Sequence, residues 1–427
     1  MALEFNKLVD QVTRLGVMVD KLDFDINEKL ELARRRYLEM DDLTAVSERI
    51  ALVRQSDISG YRGGAPITAD WAEPVNAIFP PPPLPERATV IAVDGSQIYP
   101  NPQGTVHFYV INTGTFVYYH GEDRLPTQMT DPRLAFHKDH VHDESKRVIG
   151  NRTVDARRTV REMQALADTA WHYHRHENNG NSLIALYDNN LMFWANADVT
   201  GADVLLKEYW GALHHLYDVQ ANGTRVSLAG YVDNPRSAVI MRLLYLMSLA
   251  DEADIKRNER ALAYAGDLEG LRDRQLFALV LKPGERSAIM VQNSPRNLVY
   301  RQEGESYEIA FFYIKVGDSK RSAVARVEIP LWVARNRAAV DELHALLLAQ
   351  CTMQGRNPYP YALTRADELA YISSKDKAKL DEMINIELRR KGIDPALARA
   401  KQRGKDLARS DRRSYEINLN LSGDRPF

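Results

Sequence analysis

The stretch VIAVDGSQIYP, residues 90–100, decides how the rest of the sequence is read. Four apolar residues run straight into Asp94-Gly95-Ser96. A continuous apolar run is what a strand covered on both faces looks like. Asp-Gly is also a common turn pair, so Asp94 reads in two ways. It is an ordinary turn former, or it is a carboxylate that a buried strand delivers to something positively charged. A second run, SLIALYD, closes in the same manner at Asp188, and SLAGYVD is a third apolar strand. If the strands of Asp94 and Asp188 are parallel neighbours, both carboxylates emerge at the C-terminal edge of a sheet, where open α/β sheets place their ligands. Like charges there repel unless they are protonated or bridged by a cation.

That pairing sets the chemistry to look for. Mg²⁺ and Mn²⁺ prefer oxygen donors, and a lone cysteine leaves oxygen and imidazole as the available ligands. Two such ions about 3.5–4 Å apart form the usual clamp for in-line attack on a phosphodiester. A third carboxylate is then needed. RRTVREMQALAD reads as helix and offers Glu162, which shares a face with Leu166 at i,i+4. An acid on an apolar face is unusual unless paired or metal-bound. Glu177 and Glu144 compete with it for the assignment.

The totals bound the answer. The chain has 427 residues, 44% hydrophobic and 27% charged, with a formal net charge of -2. These values describe an ordinary globular protein of one large domain with an appendage, or of two domains. Cys351 is the single cysteine, which excludes an intrachain disulfide framework and suits a reducing, cytoplasmic setting. No apolar run is long enough to span a membrane, and no signal peptide is evident at the start. Local basic stretches, VDARRTVRE and the segment after Ala400, are where a phosphate backbone would be met.

Along the chain, Leu8, Val12, Leu15, Val19, Leu22 and Ile26 form a heptad-like seam that resumes at Leu30, Ala33, Tyr37 and Met40. A long helix or helical hairpin follows, its stripe covered by the chain's own body or by a second helix. Periodicity is lost around 60–64 and in the proline run 79–85, which reads as a stiff connector. The expected organisation is an N-terminal helical, coiled-coil-like region and linker over 1–85, a catalytic domain over 86–400, and a flexible basic tail over 401–427. Within the second region the fold class is α/β, a mixed sheet flanked by helices. VHFYVINTGTFVYYHG reads as a hairpin turning at Asn112-Thr113-Gly114. YEIAFFYIKVG and SAVARVEIPLWVA read as further strands. The histidines of HKDHVHDE and WHYHRHE read as a solvated loop and a helix end. Phe108, Tyr109, Tyr118 and Tyr119 read as core. KPGERS and VDNPRS place arginines in turns where they would suit phosphate.

AVDGSQ, the arginine-rich helix with Glu162, LIALYDNNL and above all NPYPYALTRADELAYIS together resemble the NurA nuclease family, over residues 87–392. The resemblance implies an RNase H-like core that binds Mn²⁺, with Mg²⁺ as the alternative and two ions expected, acting as a homodimer. It implies 5′ to 3′ digestion of DNA ends and cutting of single strands, alongside a hexameric HerA-type translocase, in repair or in defence against foreign DNA. Asp94, Glu162, Asp188 and Asp367 are the implied metal ligands, and Tyr359 matches the family's tyrosine near the site. Asp367 stands where a histidine is familiar, and Asn189-Asn190 where Gly-Ser is familiar. The rival readings are a non-catalytic adaptor of a translocase and an RNA-directed hydrolase on the same scaffold.

Overall fold

The computed structural model describes residues 5–55, 61–104, 106–177, 180–318, 320–355 and 357–393. The basic tail over 401–427 lies outside the described residues. Packing divides the chain into two units. The larger comprises Met1–Ser96, Asn112–Asp131 and Ala156–Tyr371; the smaller comprises Gln97–Ile111, Pro132–Asp155 and Ile372–Phe427.

Eleven strands are found among the described residues: β1 (Gly64–Pro66), β2 (Ile78–Phe79), β3 (Ala88–Ile98), β4 (Tyr109–His120), β5 (Thr127–Ala135), β6 (Leu183–Tyr187), β7 (Val226–Val232), β8 (Arg286–Ser287), β9 (Met290–Gln292), β10 (Ile309–Gly317) and β11 (Ser322–Pro330). They form one sheet in the order β1-β9-β10-β11-β7-β6-β3-β4-β5, with β8 joining β2 to β10. Strand β6 is parallel to β3, pairing Val93 with Tyr187, and β7 is parallel to β6. The order β5-β4-β3-β6-β7 is that of an RNase H-like sheet. On the other side β11 pairs antiparallel with β7, and β10 with β11. The sheet is therefore mixed and flanked by helices, as the apolar runs indicate. Val90–Val93, Ile184–Leu186 and Val226–Ala229 are buried on both faces, which is why no alternation of polar residues marks them.

Three local readings change. Asp94-Gly95-Ser96 is not a turn, because β3 continues through it to Ile98. Likewise Asn112-Thr113-Gly114 is no hairpin; β4 runs unbroken from Tyr109 to His120. Gly114 is there for contact: a Cβ on it would lie 2.5 Å from the Ala366 carbonyl oxygen and the Ala370 nitrogen of the helix Tyr361–Ala370. Asn112 donates its amide to the Ala370 carbonyl at 2.8 Å, and the Ser96 hydroxyl donates to the same oxygen. The helix is thus seated against bare backbone and pinned at its C-terminal end. Finally, LWVA leaves the sheet as a helical turn, Leu331–Ala334.

The residues read as connector also take part in the core. Segment 61–79 supplies the edge strands β1 and β2, and its Glu73 meets Arg286 in a buried bidentate pair at 2.9 and 3.1 Å. Glu73 also accepts from the Ile289 nitrogen at 2.7 Å. Arg286, from KPGERS, is fully buried and does not wait for phosphate. The N-terminal helix Val9–Leu38 divides in two along its length. Ala33 and Tyr37 are buried in the main core, whereas Val12, Leu15 and Met18 are exposed. Tyr118 and Tyr119 pack edge-on or tilted against Tyr361 and Tyr173, as core residues.

The smaller unit has its own apolar cluster of Tyr109, Ile111, Val141, Ile149 and Val154. Its Tyr99 hydroxyl donates to Asp155 at 2.6 Å. No helix among the described residues is long and apolar enough to cross a membrane.

Candidate active site

Parallel pairing of β3 and β6 carries Asp94 and Asp188 to one edge of the sheet. Asp94 accepts from the Gly95 nitrogen at 2.7 Å. Burial pushes its pKa up to about 6, and the charges of Asp188 and Asp367 push in the same direction while that hydrogen bond and Arg158 oppose them. Asp188 follows β6 directly. Solvent reaches it, yet the protein packed around its carboxyl raises its pKa, with Asp233 and Asp367 adding repulsion. The Tyr359 hydroxyl donates to Asp188 and so opposes that rise. Tyr359 itself is held far above the ordinary tyrosine range by burial and by the Asp188 charge, so it remains a donor.

Glu162 comes from the helix Asn151–His176, whose inner face also carries Val160, Met163 and Leu166. It is 3% exposed. Tyr187 donates to its Oε2 at 3.1 Å, and the Arg158 Nε, one helical turn back, lies 3.2 Å from its Oε1. Among the described residues, that Oε1 has no aligned hydrogen bond. Burial pushes the Glu162 pKa up to about 8, with Asp94 and Asp188 contributing and Arg158 opposing. Gly95 makes this approach of helix to strand feasible, since a Cβ there would lie 2.5 Å from Glu162 Oε1. Arg158 also donates to the Gly95 carbonyl at 3.2 Å. The rivals for the third carboxylate go elsewhere. Glu177 closes the far end of the same helix and pairs with Arg124, and Glu144 is an exposed residue of the smaller unit.

The loop after Asp188 is firmly held. Leu191 donates its nitrogen to Glu328 at 2.9 Å, and its carbonyl accepts from Tyr209 at 2.8 Å. Gly230 of β7 leaves room for the Asn189 carbonyl, which a Cβ would meet at 2.4 Å. Two charged residues were not assigned a place here from sequence: Asp233, at the end of the third apolar strand, and Arg158. For Asp233 the signal was available, because SLAGYVD ends in an acid just as the other two strands do.

All five sequence-derived residues, Asp94, Glu162, Asp188, Tyr359 and Asp367, therefore come to one place. Among the described residues, no three Asp, Glu, His or Cys side chains converge closely enough to hold a metal ion as they stand. What the chain presents is a hard-oxygen donor set with a buried carboxylate oxygen short of a hydrogen bond and several carboxyls whose ionisation is suppressed. That is the character of a site that fits a divalent cation.

A family model, the NurA domain, matches residues 88–372. The chain belongs to the NurA family. Among solved structures, the NurA nuclease from Sulfolobus solfataricus aligns with 13% identity and a TM-score of 0.45, covering 90% of this chain and 98% of that one. A. aeolicus Argonaute aligns at 10% identity and a TM-score of 0.27, covering 67% of this chain and 28% of that one. No curated protein matches by sequence. The matched region includes Asp94, Glu162, Asp188, Asp233 and Asp367.

Proposed function

We propose that the chain is a metal-dependent deoxyribonuclease whose ligands are Asp94, Glu162, Asp188 and Asp367. The observation that carries this reading is the meeting of Asp94 and Asp188 at one edge of adjacent parallel strands, with the buried Glu162 behind them. Mn²⁺ or Mg²⁺, as a pair of ions, would supply Lewis-acid polarisation of the phosphodiester and of the attacking water. The protein's own groups do the rest. Tyr359 fixes the orientation of the Asp188 carboxylate. Arg158 partly offsets the charge of Glu162 while no cation is present. Glu162 and Asp94, whose ionisation burial suppresses, would have to give up their protons to hold a cation, which would couple cation affinity to pH.

The finer reading is 5′ to 3′ exonuclease and single-strand endonuclease action on DNA ends, as a homodimer working with a HerA-type translocase. In it residues 86–400 form the nuclease domain and 1–85 the partner-facing region, and the surroundings are cytoplasmic. The exposed Val12, Leu15 and Met18 supply an apolar helix stripe that suits such a contact. The ion pair between Arg158 and Glu162 favours a second reading, a non-catalytic subunit in which the arginine stands in for the cation. Cleavage of single-stranded DNA with Mn²⁺, by wild type and by Asp94→Ala, separates the two. Activity lost in Asp94→Ala supports the nuclease. No cleavage by wild type, alone and with a HerA partner, refutes it, and RNA run beside DNA fixes the substrate.

A further inference from the structure

The carboxylate cleft repels the polyanion it is proposed to cut, so the hold on a nucleic-acid strand has to come from elsewhere. A cavity of about 910 Å³ opens where β6 and β7 end, with Asn190 in its wall only two residues beyond Asp188. Two residues of extended chain reach no more than about 7 Å. Arg62, Arg236 and Arg296, all exposed, stand around it, and Trp194, 41% exposed, lies beneath the Arg296 guanidinium at 5.5 Å. Arg326 forms its floor and is buried. Glu328, the only acid in the lining among the described residues, is already taken up by Arg326 at 2.9 Å and by the Leu191 nitrogen. The helix Pro295–Glu303 starts at the same wall, with Ser294 and Pro295 in the lining, and adds the positive end of its dipole.

A net positive hollow with three exposed arginines, one accessible aromatic ring and a clamped loop leading to the acids is the arrangement that single-strand binders use: cations on phosphates, a ring under a base. We propose that this cavity grips the phosphates of the single-stranded substrate next to the bond being cut, with one base stacked on Trp194. The proposal rests on the nuclease reading but is tested apart from it.

Binding of a fluorescein-labelled single-stranded oligodeoxythymidylate is followed by anisotropy in EDTA, using Asp94→Ala as the parent. Adding Arg236→Ala and Arg296→Ala is expected to weaken binding by roughly tenfold or more, the loss typical of charge-assisted hydrogen bonds. The slope of log affinity against log salt should fall by about 1.4, for two phosphates no longer neutralised. Trp194→Ala should weaken binding too, and Trp194→Phe should restore most of it. Lys256→Ala with Arg257→Ala, on the helix Glu252–Arg257 away from the cavity lining, removes the same charge and should leave affinity within about twofold of the parent. Because Arg236 and Arg296 are exposed, their loss leaves the fold intact, which circular dichroism checks. The proposal is overturned if the arginine pair binds like the parent, if the control pair loses as much, or if the parent binds no oligonucleotide at low salt. A wild type that cleaves nothing in Mn²⁺ refutes the nuclease reading and leaves these binding results standing.

Discussion

Glu162→Gln is expected to remove cleavage and, without metal, to make the protein more resistant to unfolding at alkaline pH. The Glu162 carboxyl is 3% exposed, and burial raises its pKa from 4.5 to about 8. Between those two pH values the folded chain keeps a proton that the unfolded chain has released, so stability falls as pH rises through the interval. Each pH unit is worth ~1.4 kcal/mol, which puts the total at ~5 kcal/mol as a ceiling and about half of that once the neighbouring polar groups relax. Glutamine resembles the protonated acid and has no proton to lose, so the variant escapes this slope. Urea midpoints in EDTA, followed by tryptophan fluorescence at about pH 5 and about pH 8.5, read the difference. The variant should gain on wild type by ~2–4 kcal/mol between the two conditions. The change in the gap carries the test, since a chain of two units need not unfold in one step. A gap that does not vary with pH would refute the reasoning. With Mn²⁺ added at the higher pH, wild type should be stabilised and the variant should not. Wild-type cleavage should climb between about pH 6 and 8 as Asp94 and Glu162 give up their protons.

Three further outcomes follow from contacts described above. Tyr359→Phe removes the hydroxyl that orients Asp188, and cleavage should fall about 10–100-fold with a higher Mn²⁺ requirement and an unchanged circular dichroism spectrum. Gly114→Ala forces a Cβ to within 2.5 Å of the Ala366 carbonyl. It should cost ~1–3 kcal/mol in urea denaturation and depress cleavage further than that loss explains, because Asp367 moves with the displaced helix. Glu73→Gln leaves Arg286 charged and buried, and should lower stability by ~3–5 kcal/mol, read as a drop in the urea midpoint.

The strands that carry the site were legible because parallel strands covered on both faces leave an uninterrupted apolar signature, and each apolar run gives way to an acid. Glu162 was visible as an acid sharing a helical face with Leu166, but Glu177 and Glu144 competed with it for the place. The misread places share one cause, since each depends on a partner remote in sequence. Gly95 and Gly114 look like turn glycines because nothing local announces the helices that pack on them. Arg286 looks like a loop arginine until Glu73, remote in sequence, is seen beside it. Arg158 has the same problem in reverse: three neighbouring arginines were visible, and only the fold selects the one that faces Glu162.

The seat of the helix Tyr361–Ala370 on Gly114, held by Asn112 and Ser96 through the Ala370 carbonyl, has a consequence for biosynthesis. Asp94 and Asp188 leave the ribosome early, while Tyr359 and Asp367 are among the last residues of the matched domain to be made. A nascent or prematurely terminated chain therefore presents an incomplete set of carboxylates and no docked helix. Under the proposed function, translation itself is the safety catch: host DNA meets a competent nuclease only after nearly the whole domain has been synthesised and closed.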